Sequence, residues 1–270
     1  MAAERFDAVV VGGGKGGKTL AMHLARQGQA VALIERKLLG GSCINVACIP
    51  TKTMVRSAKV ADLARRAAGF GVRVTFDGAD PLGVRGRKRE VVAGMVARNR
   101  AAFEASGLTL LFGTARFTGP RTVAVHLAEG GERTVTADRV FVNTGTRPGV
   151  PDTPGLAAAR PLDSEAVQEL DRLPDHLVVL GGGYIGCEFA QLFRRLGSRV
   201  TLVDRSPSFL PREDADVGEH VLGLFRDDGI DVRLGAAVTR VDGEAGRGVR
   251  VAVRTPAGDE TVEGSDVLVA

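Results

Sequence analysis

Two cysteines five positions apart, Cys43 and Cys48, are the residues of this sequence best suited to do chemistry. On an ideal helix the rise and radius place such Cα atoms about 8 to 9 Å apart, whereas a disulfide needs about 4.4 to 6.8 Å. The pair can therefore bridge only where the helical turn is distorted. Pro50 has no N–H to offer the carbonyl of Val46, so it is placed to weaken that turn. Such a bridge would be reducible, and a helix N-terminus would stabilise the resulting thiolates.

Two other interpretations of the cysteines stay open, namely two unlinked thiols in a core and half of a zinc site. Zinc needs four ligands, and the other Cys and His residues are scattered without ligand spacing: Cys187, His23, His126, His176 and His220. We therefore predict no metal site. Cys187 follows a glycine turn on a predicted helix, where a buried apolar position is expected.

Gly12, Gly14 and Gly17 have the spacing of a dinucleotide-binding turn between a strand and a helix. In such a turn the first glycine allows the tight bend, the second lets the backbone approach the pyrophosphate, and the third lets the helix pack close to the strand. Glu35 ends the next apolar run, where an acid accepts hydrogen bonds from an adenosine ribose. These residues predict one dinucleotide site.

The same turn has a competing interpretation as a phosphate-binding loop. GGGKGGKT, residues 12–19, also satisfies the pattern G-x-x-x-x-G-K-[ST], in which Lys18 would reach the β- and γ-phosphates and Thr19 would bind magnesium. A P-loop NTPase is therefore an alternative function. Against it, Glu35 stands where a dinucleotide site needs an acid, and no other apolar strand ends in an obvious magnesium-binding Asp.

A second turn repeats the pattern far along the chain. Gly181, Gly183 and Gly186 take the three glycine roles, and Asp204 ends the following apolar run. An acid at this position favours the free 2′-hydroxyl of NADH over the 2′-phosphate of NADPH. The next residue, Arg205, could still receive that phosphate, so NADH is favoured only modestly. Two dinucleotide turns in one chain suit electron transfer between two cofactors, which argues against an NTPase.

The elements that must position these residues follow from the apolar periodicity. Each glycine turn lies between an apolar strand and a helix, and a second strand follows, which is the βαβ pattern. Prolines between 148 and 161 mark a connector. We predict an α/β fold with two Rossmann-like dinucleotide-binding domains, residues 1–150 and 151–270. Among the predicted elements are helices at 18–27, 90–105 and 187–196 and a single strand region at 260–269.

The composition is that of an ordinary globular protein, with 44% hydrophobic and 25% charged residues and no run as long as a membrane span. The 36 basic and 32 acidic residues are spread along the chain, so a pI near 9.2 does not indicate nucleic-acid binding. We interpret the basic cluster Arg85–Arg89 as a solvated loop or helix start. The first residues carry Glu4 and Asp7, unlike a signal peptide. We therefore expect a cytoplasmic protein that binds neither nucleic acid nor membrane.

The motifs resemble those of the class I pyridine nucleotide-disulfide oxidoreductases, the family of dihydrolipoamide dehydrogenase, glutathione reductase and mercuric reductase. They cover the chain nearly end to end: GGGKGG at 12–17, GGSCINVACIPTK at 40–52, GTARF at 113–117, NTGTRP at 143–148 and GGGYIGCEFA at 181–190. GKGGKT, CINVACIPTKT and FLPRED are most similar to the reactive-chlorine-resistance flavoproteins. The resemblance implies FAD in the first domain and NAD(P)H in the second, which is inserted into the FAD domain.

The resemblance also implies a role for each site residue. NAD(P)H would reduce FAD, reduced flavin would open a Cys43–Cys48 disulfide, and Cys43 would attack the electron acceptor. Cys48 would contact the flavin, and Lys52, paired with Glu188, would stabilise negative charge near flavin N5. Tyr184 resembles the residue that covers the flavin until nicotinamide enters. Further implied cofactor contacts are Gly41, Ser42, Ala115, Thr144, Gly145 and Ile185.

In that family the chain continues past the equivalent of residue 270 into a dimerisation domain that carries a His–Glu acid/base pair, and the enzyme is a homodimer. We expect this chain to lack that domain. A second alternative function is therefore a catalytically incomplete nucleotide-binding fragment. The implied acceptor is a disulfide, a metal ion or an oxidant.

Overall fold

A computed structural model describes residues 3–270 of the chain. Contacts within the chain divide it into two compact units. The first unit contains the chain up to Pro50 together with Arg89–Arg147, and the second contains Thr51–Lys88 together with Pro148–Ala270. The predicted division at residue 150 stays a prediction, and the contacts additionally group residues 51–88 with the second unit.

The first unit is built on five strands whose hydrogen bonds close into a ring. The strands are β1 (Glu4–Val11), β2 (Val31–Glu35), β3 (Thr109–Gly119), β4 (Thr122–Leu127) and β5 (Glu132–Val142). Strand β1 lies parallel between β2 and β5, and β2 is also parallel to β3. Strand β4 pairs antiparallel with both β3 and β5. The parallel part contains the predicted βαβ unit.

Strand β1 is buried on both faces. Successive side chains of a strand point to opposite sides, and those of β1 pack in two different clusters. Ala8 and Val10 belong to a core cluster with Ala21 of α1 (Lys15–Arg26). Val9 belongs to a cluster on the other face, formed with side chains of β2 to β5. A strand covered on both faces is apolar without alternation, and this is the pattern from which the sequence predicts it.

Three further helices follow α1, namely α2 (Ser42–Asn45), α3 (Cys48–Arg66) and α4 (Pro81–Glu104). Helix α4 begins well before the predicted start at residue 90. Its first residue is Pro81, whose missing N–H costs nothing at that position, and Asp80 Oδ1 accepts the N–H of Leu82 at 2.9 Å. None of the helices within residues 3–270 combines the length and the apolar composition needed to cross a bilayer.

The basic cluster Arg85–Arg89 lies in the first turns of α4, which agrees with the predicted helix start, but the expectation that it is solvated is wrong for Lys88. The side chain of Lys88 is only 4% exposed and forms an ion pair with Glu169. Arg87 donates to the carbonyl of Thr53 at 2.9 Å. A buried ammonium is tolerated only with a partner, and that partner is far away in sequence, where pattern analysis does not reach.

The second unit contains a parallel sheet and an antiparallel sheet. The parallel sheet has the order β12-β6-β7-β8, and the antiparallel sheet has the order β11-β10-β9. Two helices, α5 and α6, accompany the parallel sheet. The bounds are β6 (His176–Leu180), α5 (Tyr184–Leu196), β7 (Arg199–Val203), α6 (Ala215–Asp227), β8 (Asp231–Arg233), β9 (Ala237–Glu244), β10 (Gly248–Thr255), β11 (Gly258–Gly264) and β12 (Asp266–Val269).

The parallel sheet of the second unit is covered on both faces. Leu177 and Val179 of β6 pack in a cluster with Phe189 of α5. Val178, which points the opposite way, packs in a cluster with Val251 of the antiparallel sheet. The whole is a Rossmann-type α/β fold in each unit, as the sequence predicts.

The bounds of three further predicted elements differ from the structure. The strand region predicted at 260–269 is two strands, because the chain turns at Ser265, whose N–H donates to His176 O at 2.9 Å. Strand β12 then runs parallel to β6. Helices α1 and α5 begin at Lys15 and Tyr184, earlier than the predicted 18 and 187, because the third glycine of each turn lies inside the helix.

Candidate active site

The helix that carries the cysteines is interrupted between them. Helix α2 ends at Asn45, α3 begins at Cys48, and Val46 between them has φ −139° and ψ −2°. The distortion that a Cys43–Cys48 bridge requires is therefore present. The two residues are free thiols that lie on either side of this break in the helix. Pro50 lies in the first turn of α3, where a missing N–H is tolerated.

The surroundings of Cys43 act on the pKa of its thiol in opposite directions. The hydrogen bond to Cys48 raises the pKa of the Cys43 thiol, and burial raises this pKa further, whereas the ammonium groups of Lys15 and Lys18 lower it. Burial also lowers the pKa of Lys18, which donates a hydrogen bond to Asn99 Oδ1. The pKa of the Cys43 thiol is thus raised overall, although two cations lie near it.

The first glycine turn has the geometry expected of a dinucleotide turn. Gly12 has φ +105°, and a Cβ there would lie 2.1 Å from Asn143 O. A Cβ at Gly17 would lie 2.0 Å from Gly12 O, so the helix packs against the turn with no room for a side chain. At Gly14 the nearest atom to a Cβ is 3.7 Å away. The chain itself therefore does not require a glycine at position 14.

The cysteine loop touches this glycine turn. The N–H of Gly40 donates to Gly13 O at 3.2 Å, and a Cβ at Gly41 would lie 2.5 Å from Gly14 Cα. Ser42 is exposed and begins α2, with Cys43 next to it. The structure therefore brings the predicted residues Gly14, Gly41, Ser42 and Cys43 to one place in the first unit.

Glu35 has a second role that the sequence pattern does not show. Its Oε2 accepts the N–H of Gly13 at 2.7 Å, and its Oε1 accepts the N–H groups of Lys37 and Leu38 at 2.7 and 3.0 Å. The carboxylate thus fixes the glycine turn. Each carboxylate oxygen can accept two hydrogen bonds, so Oε2 can still accept one more. Binding of Glu35 to a ribose stays a prediction.

Asn143 is a site residue that the motif analysis missed. It follows β5, its N–H donates to Val11 O at 2.7 Å, and its side-chain amide donates to Gly12 O at 3.4 Å. The motif NTGTRP carried the signal. Thr144 and Gly145 come next and are exposed, whereas Ala115 lies within β3, paired with Val125. The cofactor contacts of these three residues stay predictions.

The geometry of the first turn does not support a phosphate-binding loop. In a P-loop the residues between the two glycines wrap a phosphate as a loop, but here residues 15–17 already belong to α1. Thr19 donates to Lys15 O at 2.7 Å within the helix. Lys18 is engaged by Asn99. The alternative as a P-loop NTPase is thereby left without support.

The second unit contains a turn with the same construction. Gly181 has φ +110°, and a Cβ there would lie 2.4 Å from Ala270 O. A Cβ at Gly186 would lie 1.9 Å from Gly181 O, whereas a Cβ at Gly183 would meet no atom within 4 Å. As in the first turn, the fold requires the outer two glycines and leaves space at the middle one.

Asp204 holds the second turn as Glu35 holds the first. Its Oδ2 accepts the N–H of Gly182 at 2.5 Å, and its Oδ1 accepts the N–H of Ser206 at 2.6 Å. Beside it lies a cavity of about 670 Å³, a volume typical of small-ligand sites. The lining residues are 181–184, 204–206, 210–213 and Ala270.

Tyr184 is an exposed aromatic residue at the edge of this cavity. Its hydroxyl donates to Glu213 Oε1 at 2.6 Å, and this hydrogen bond raises the pKa of Tyr184. Ile185 beside it is 48% exposed. Glu213 was not among the predicted site residues, and only its place in the motif FLPRED pointed to it.

Lys52 and Glu188 form an ion pair within the second unit. The Nζ of Lys52 lies 2.5 Å from Glu188 Oε1, and the two side chains are 60% and 37% exposed. Lys52 follows Cys48 by one turn of α3. Pairs this exposed contribute little to stability, and the chemical role of Lys52 and Glu188 stays a prediction.

Cys187 differs from the other two cysteines. Burial, followed by the charges of Asp204 and Glu188, raises the pKa of its thiol to about 12. Its Sγ donates to Gly182 O at 3.6 Å. Such a thiol is unreactive near neutral pH. Within residues 3–270, no three His, Cys, Asp or Glu side chains come together in a way that could hold a metal ion.

Comparison with known proteins identifies relatives of the same kind. Probable pyridine nucleotide-disulfide oxidoreductase RclA of Escherichia coli is 37% identical over 241 residues, which are 88% of this chain and 51% of that protein. Mercuric reductase of Streptomyces lividans is 35% identical over 98% of this chain and 56% of the relative. Dihydrolipoyl dehydrogenase of Bacillus subtilis is 34% identical over 86% of this chain and 51% of the relative. The chain thus spans about half the length of these relatives.

Solved structures agree with these relatives. The HOCl-induced flavoprotein disulfide reductase RclA of Escherichia coli superposes with a TM-score of 0.81 at 35% identity, over 98% of this chain and 56% of that one. Its Cu(II) complex superposes with a TM-score of 0.82, over 100% of this chain and 56% of that one. The profile of the family described as pyridine nucleotide-disulphide oxidoreductase matches residues 6–270. The chain is a member of the pyridine nucleotide-disulphide oxidoreductase family.

Proposed function

We propose that the protein is a FAD-dependent oxidoreductase that moves electrons from NAD(P)H to the Cys43–Cys48 pair and on to an acceptor. The observation that carries this proposal is the position of the two thiols on either side of the broken helix, in a loop that touches the first glycine turn. Membership of the family supports the class of reaction. The relatives give no support to an NTPase or to a catalytically incomplete nucleotide-binding fragment.

The residues of the first unit fit FAD. Gly12, Gly14 and Gly17 would hold the pyrophosphate at the N-terminus of α1, where free N–H groups favour anions. Glu35 would accept a ribose hydroxyl, and the open space at Gly14 leaves room for the ligand. Further proposed contacts are Gly41, Ser42, Ala115, Thr144 and Gly145. When bound, FAD supplies a two-electron carrier between nicotinamide and disulfide.

The residues of the second unit fit a nicotinamide dinucleotide. Gly181, Gly183 and Gly186 would hold its pyrophosphate at the start of α5, next to the cavity of about 670 Å³. Asp204 favours NADH, because its carboxylate is fixed by two backbone N–H groups and would repel a 2′-phosphate. Arg205 lines the same cavity, and its positive charge would favour the 2′-phosphate of NADPH. We propose NADH as the preferred donor.

The cysteines take up two electrons and two protons when their disulfide opens to a dithiol. We propose that Cys43 attacks the acceptor as a thiolate, which the positive charges of Lys15 and Lys18 favour and which the hydrogen bond to Cys48 and burial disfavour. Lys52, held by Glu188, is proposed to stabilise negative charge beside the cofactor. Tyr184 and Ile185 are proposed to border the nicotinamide.

The acceptor and the assembly are also proposals, because the chain spans about half of its relatives. We propose a small disulfide, an oxidant or a metal ion as the acceptor. One relative is a mercuric reductase and another was solved as a Cu(II) complex, which supports a metal ion. The proposed enzyme is a homodimer in the cytoplasm and binds neither nucleic acid nor membrane.

The experiment that tests the proposal is a spectral titration of the purified, FAD-loaded protein with NADH. Reduction should produce the long-wavelength band of a thiolate beside an oxidised flavin, and Cys48→Ser should abolish it. Cys187→Ser is the matched control and should leave the band unchanged. A protein that does not bind FAD, or a Cys48→Ser variant that keeps the band, would refute the proposal.

A further inference from the structure

The hydrogen bond between Tyr184 and Glu213 joins two separate elements that line the cavity of the second unit. Tyr184 is the first residue of α5, and Glu213 directly precedes Asp214, the N-cap of α6. Both residues line the cavity, and the Tyr184 hydroxyl lies 2.6 Å from Glu213 Oε1. The bond therefore ties the glycine-turn side of the cavity to the segment at residues 209–213.

The Glu213 side of this bond is held firmly. Phe209 is 5% exposed and packs edge-to-face on Phe225 of α6, with 5.3 Å between ring centroids. The N–H of Glu213 donates to Leu210 O at 2.9 Å. Leu210 has φ +48°, a conformation that a non-glycine residue keeps only where its surroundings impose it. The backbone that carries the Glu213 carboxylate is thus held in place.

The Tyr184 side of the bond is free to move. Tyr184 is 62% exposed, and the bond to Glu213 is the only hydrogen bond of its side chain among residues 3–270. The ring turns about two side-chain torsions, and exposed side chains change rotamer rapidly. Without the bond, the ring can rotate towards the space above the glycine turn.

We propose that Glu213 is a positioning residue that holds the Tyr184 ring at the edge of the cavity and so keeps the dinucleotide site open. This inference rests on the proposed function, in which the second glycine turn binds NAD(P)H. In the bonded arrangement the cavity is about 670 Å³. When the bond is lost, the ring occupies part of that volume for some of the time. The apparent affinity then falls with the fraction of open molecules.

The charge of Glu213 alone would have the opposite effect. A dinucleotide carries phosphate charge, and a carboxylate that lines its cavity repels it. If Glu213 acted only through charge, Glu213→Ala would tighten binding. If it acts through Tyr184, the same change weakens binding, so the sign of the effect separates the two explanations.

The test measures the dissociation constants of NAD⁺ and NADP⁺ by calorimetry on the purified, FAD-loaded protein. Glu213→Ala should raise the dissociation constant about 3- to 10-fold, the range expected for one hydrogen bond. Glu213→Gln keeps an acceptor oxygen and loses the charge, so it should bind as the wild type does or more tightly. Tyr184→Phe loses the donor but leaves the charge of Glu213, so it should weaken binding at least as much as Glu213→Ala does. The double variant should bind no more weakly than Tyr184→Phe. Glu219→Ala, an exposed acid of α6 that does not line the cavity, is the matched control.

The Tyr184→Ala variant provides a further test. In Tyr184→Ala no ring is left to enter the cavity, so adding Glu213→Ala should not weaken binding. If the wild type binds NAD⁺ or NADP⁺ and Glu213→Ala binds it as tightly or more tightly, the inference is overturned. Failure of the wild type to bind either dinucleotide overturns the proposed function and the inference with it.

Discussion

The ammonium of Lys52 lies 2.5 Å from the carboxylate of Glu188, although the two residues belong to different predicted domains. Lys52 stands one turn after Cys48 on α3, and Glu188 stands two residues after the third glycine of the second turn. The pair thereby links α3, which begins at Cys48, to α5, which begins in the second glycine turn. Because both side chains are exposed, the pair stabilises the fold only weakly. Its proposed role is to stabilise negative charge beside the cofactor.

Lys52→Met should slow reduction of the FAD-loaded protein by NADH about 10²- to 10³-fold, the usual effect of removing one group that stabilises developing charge. The thermal midpoint should change little, because the pair is exposed. Stopped-flow absorbance measures the rate, and calorimetry measures the midpoint. Arg5→Met, which breaks an exposed ion pair with Asp138 in the first unit, is the control. A Lys52→Met enzyme reduced at the wild-type rate would contradict the assigned role.

Gly14→Ala and Gly183→Ala should weaken cofactor binding without unfolding the protein. A Cβ at Gly14 would be no closer than 3.7 Å to any atom, and a Cβ at Gly183 would have no neighbour within 4 Å. Neither residue has a positive φ, so alanine fits the chain and clashes only with a bound pyrophosphate. FAD retention should fall for Gly14→Ala, and NAD⁺ affinity should fall for Gly183→Ala. Normal binding in both variants would mean that the turns do not hold phosphates.

The outer glycines provide the contrast. Gly17→Ala and Gly186→Ala would place a Cβ 2.0 and 1.9 Å from a backbone oxygen, and overpacking of this kind costs about 1 to 3 kcal/mol or more. Gly94→Ala lies in α4 with open space around it, so it should stabilise the protein by about 0.5 to 1 kcal/mol. Urea unfolding of the three variants measures these differences.

The sequence was sufficient to predict most of the framework and left out the contacts made at long range. Glycine spacing and apolar runs predicted both βαβ units, because these patterns are local. Lys88, by contrast, is buried against Glu169, and nothing near it in sequence announces that partner. The same limit applies to Glu213, whose importance depends on the position of Tyr184, and to Asn143, which is bonded to a turn at the other end of the first unit.

His176 should make the protein less stable as the pH falls below about 6.5. Burial first, and then the charge of Arg199, lowers the pKa of His176, with Asp231 opposing. Its Nε2 lies 2.9 Å from Thr201 Oγ1 and its Nδ1 lies 2.7 Å from Arg199 Nη2. The unfolded chain therefore binds a proton at a pH where the folded chain does not, so stability is lost as pH drops from the unfolded pKa towards the lower folded one.

Urea midpoints between about pH 7.5 and 5 measure this loss. His176→Gln keeps a side-chain donor for Thr201 and removes the titration, so its midpoints should depend less on pH than those of the wild type. An identical pH dependence in the two proteins would show that His176 does not cause it.

Tyr184 should titrate above the ordinary range of tyrosine, because Glu213 raises its pKa. It is the only tyrosine of the chain, which has no tryptophan, so the tyrosinate absorbance reports this residue alone. Glu213→Ala should lower the midpoint, and Glu219→Ala should not. Equal midpoints in all three proteins would mean that the hydrogen bond is not formed in solution.

The most direct measurement of the central claim is the alkylation of each cysteine before and after reduction. The FAD-loaded protein is first oxidised, then treated with iodoacetamide with and without prior addition of NADH under anaerobic conditions, and analysed by peptide mass spectrometry. Cys43 and Cys48 should be protected before NADH and modified after it, while Cys187, with a pKa of about 12, stays unmodified in both samples. Equal modification of Cys43 and Cys48 with and without NADH would contradict the assignment of this pair as the redox centre.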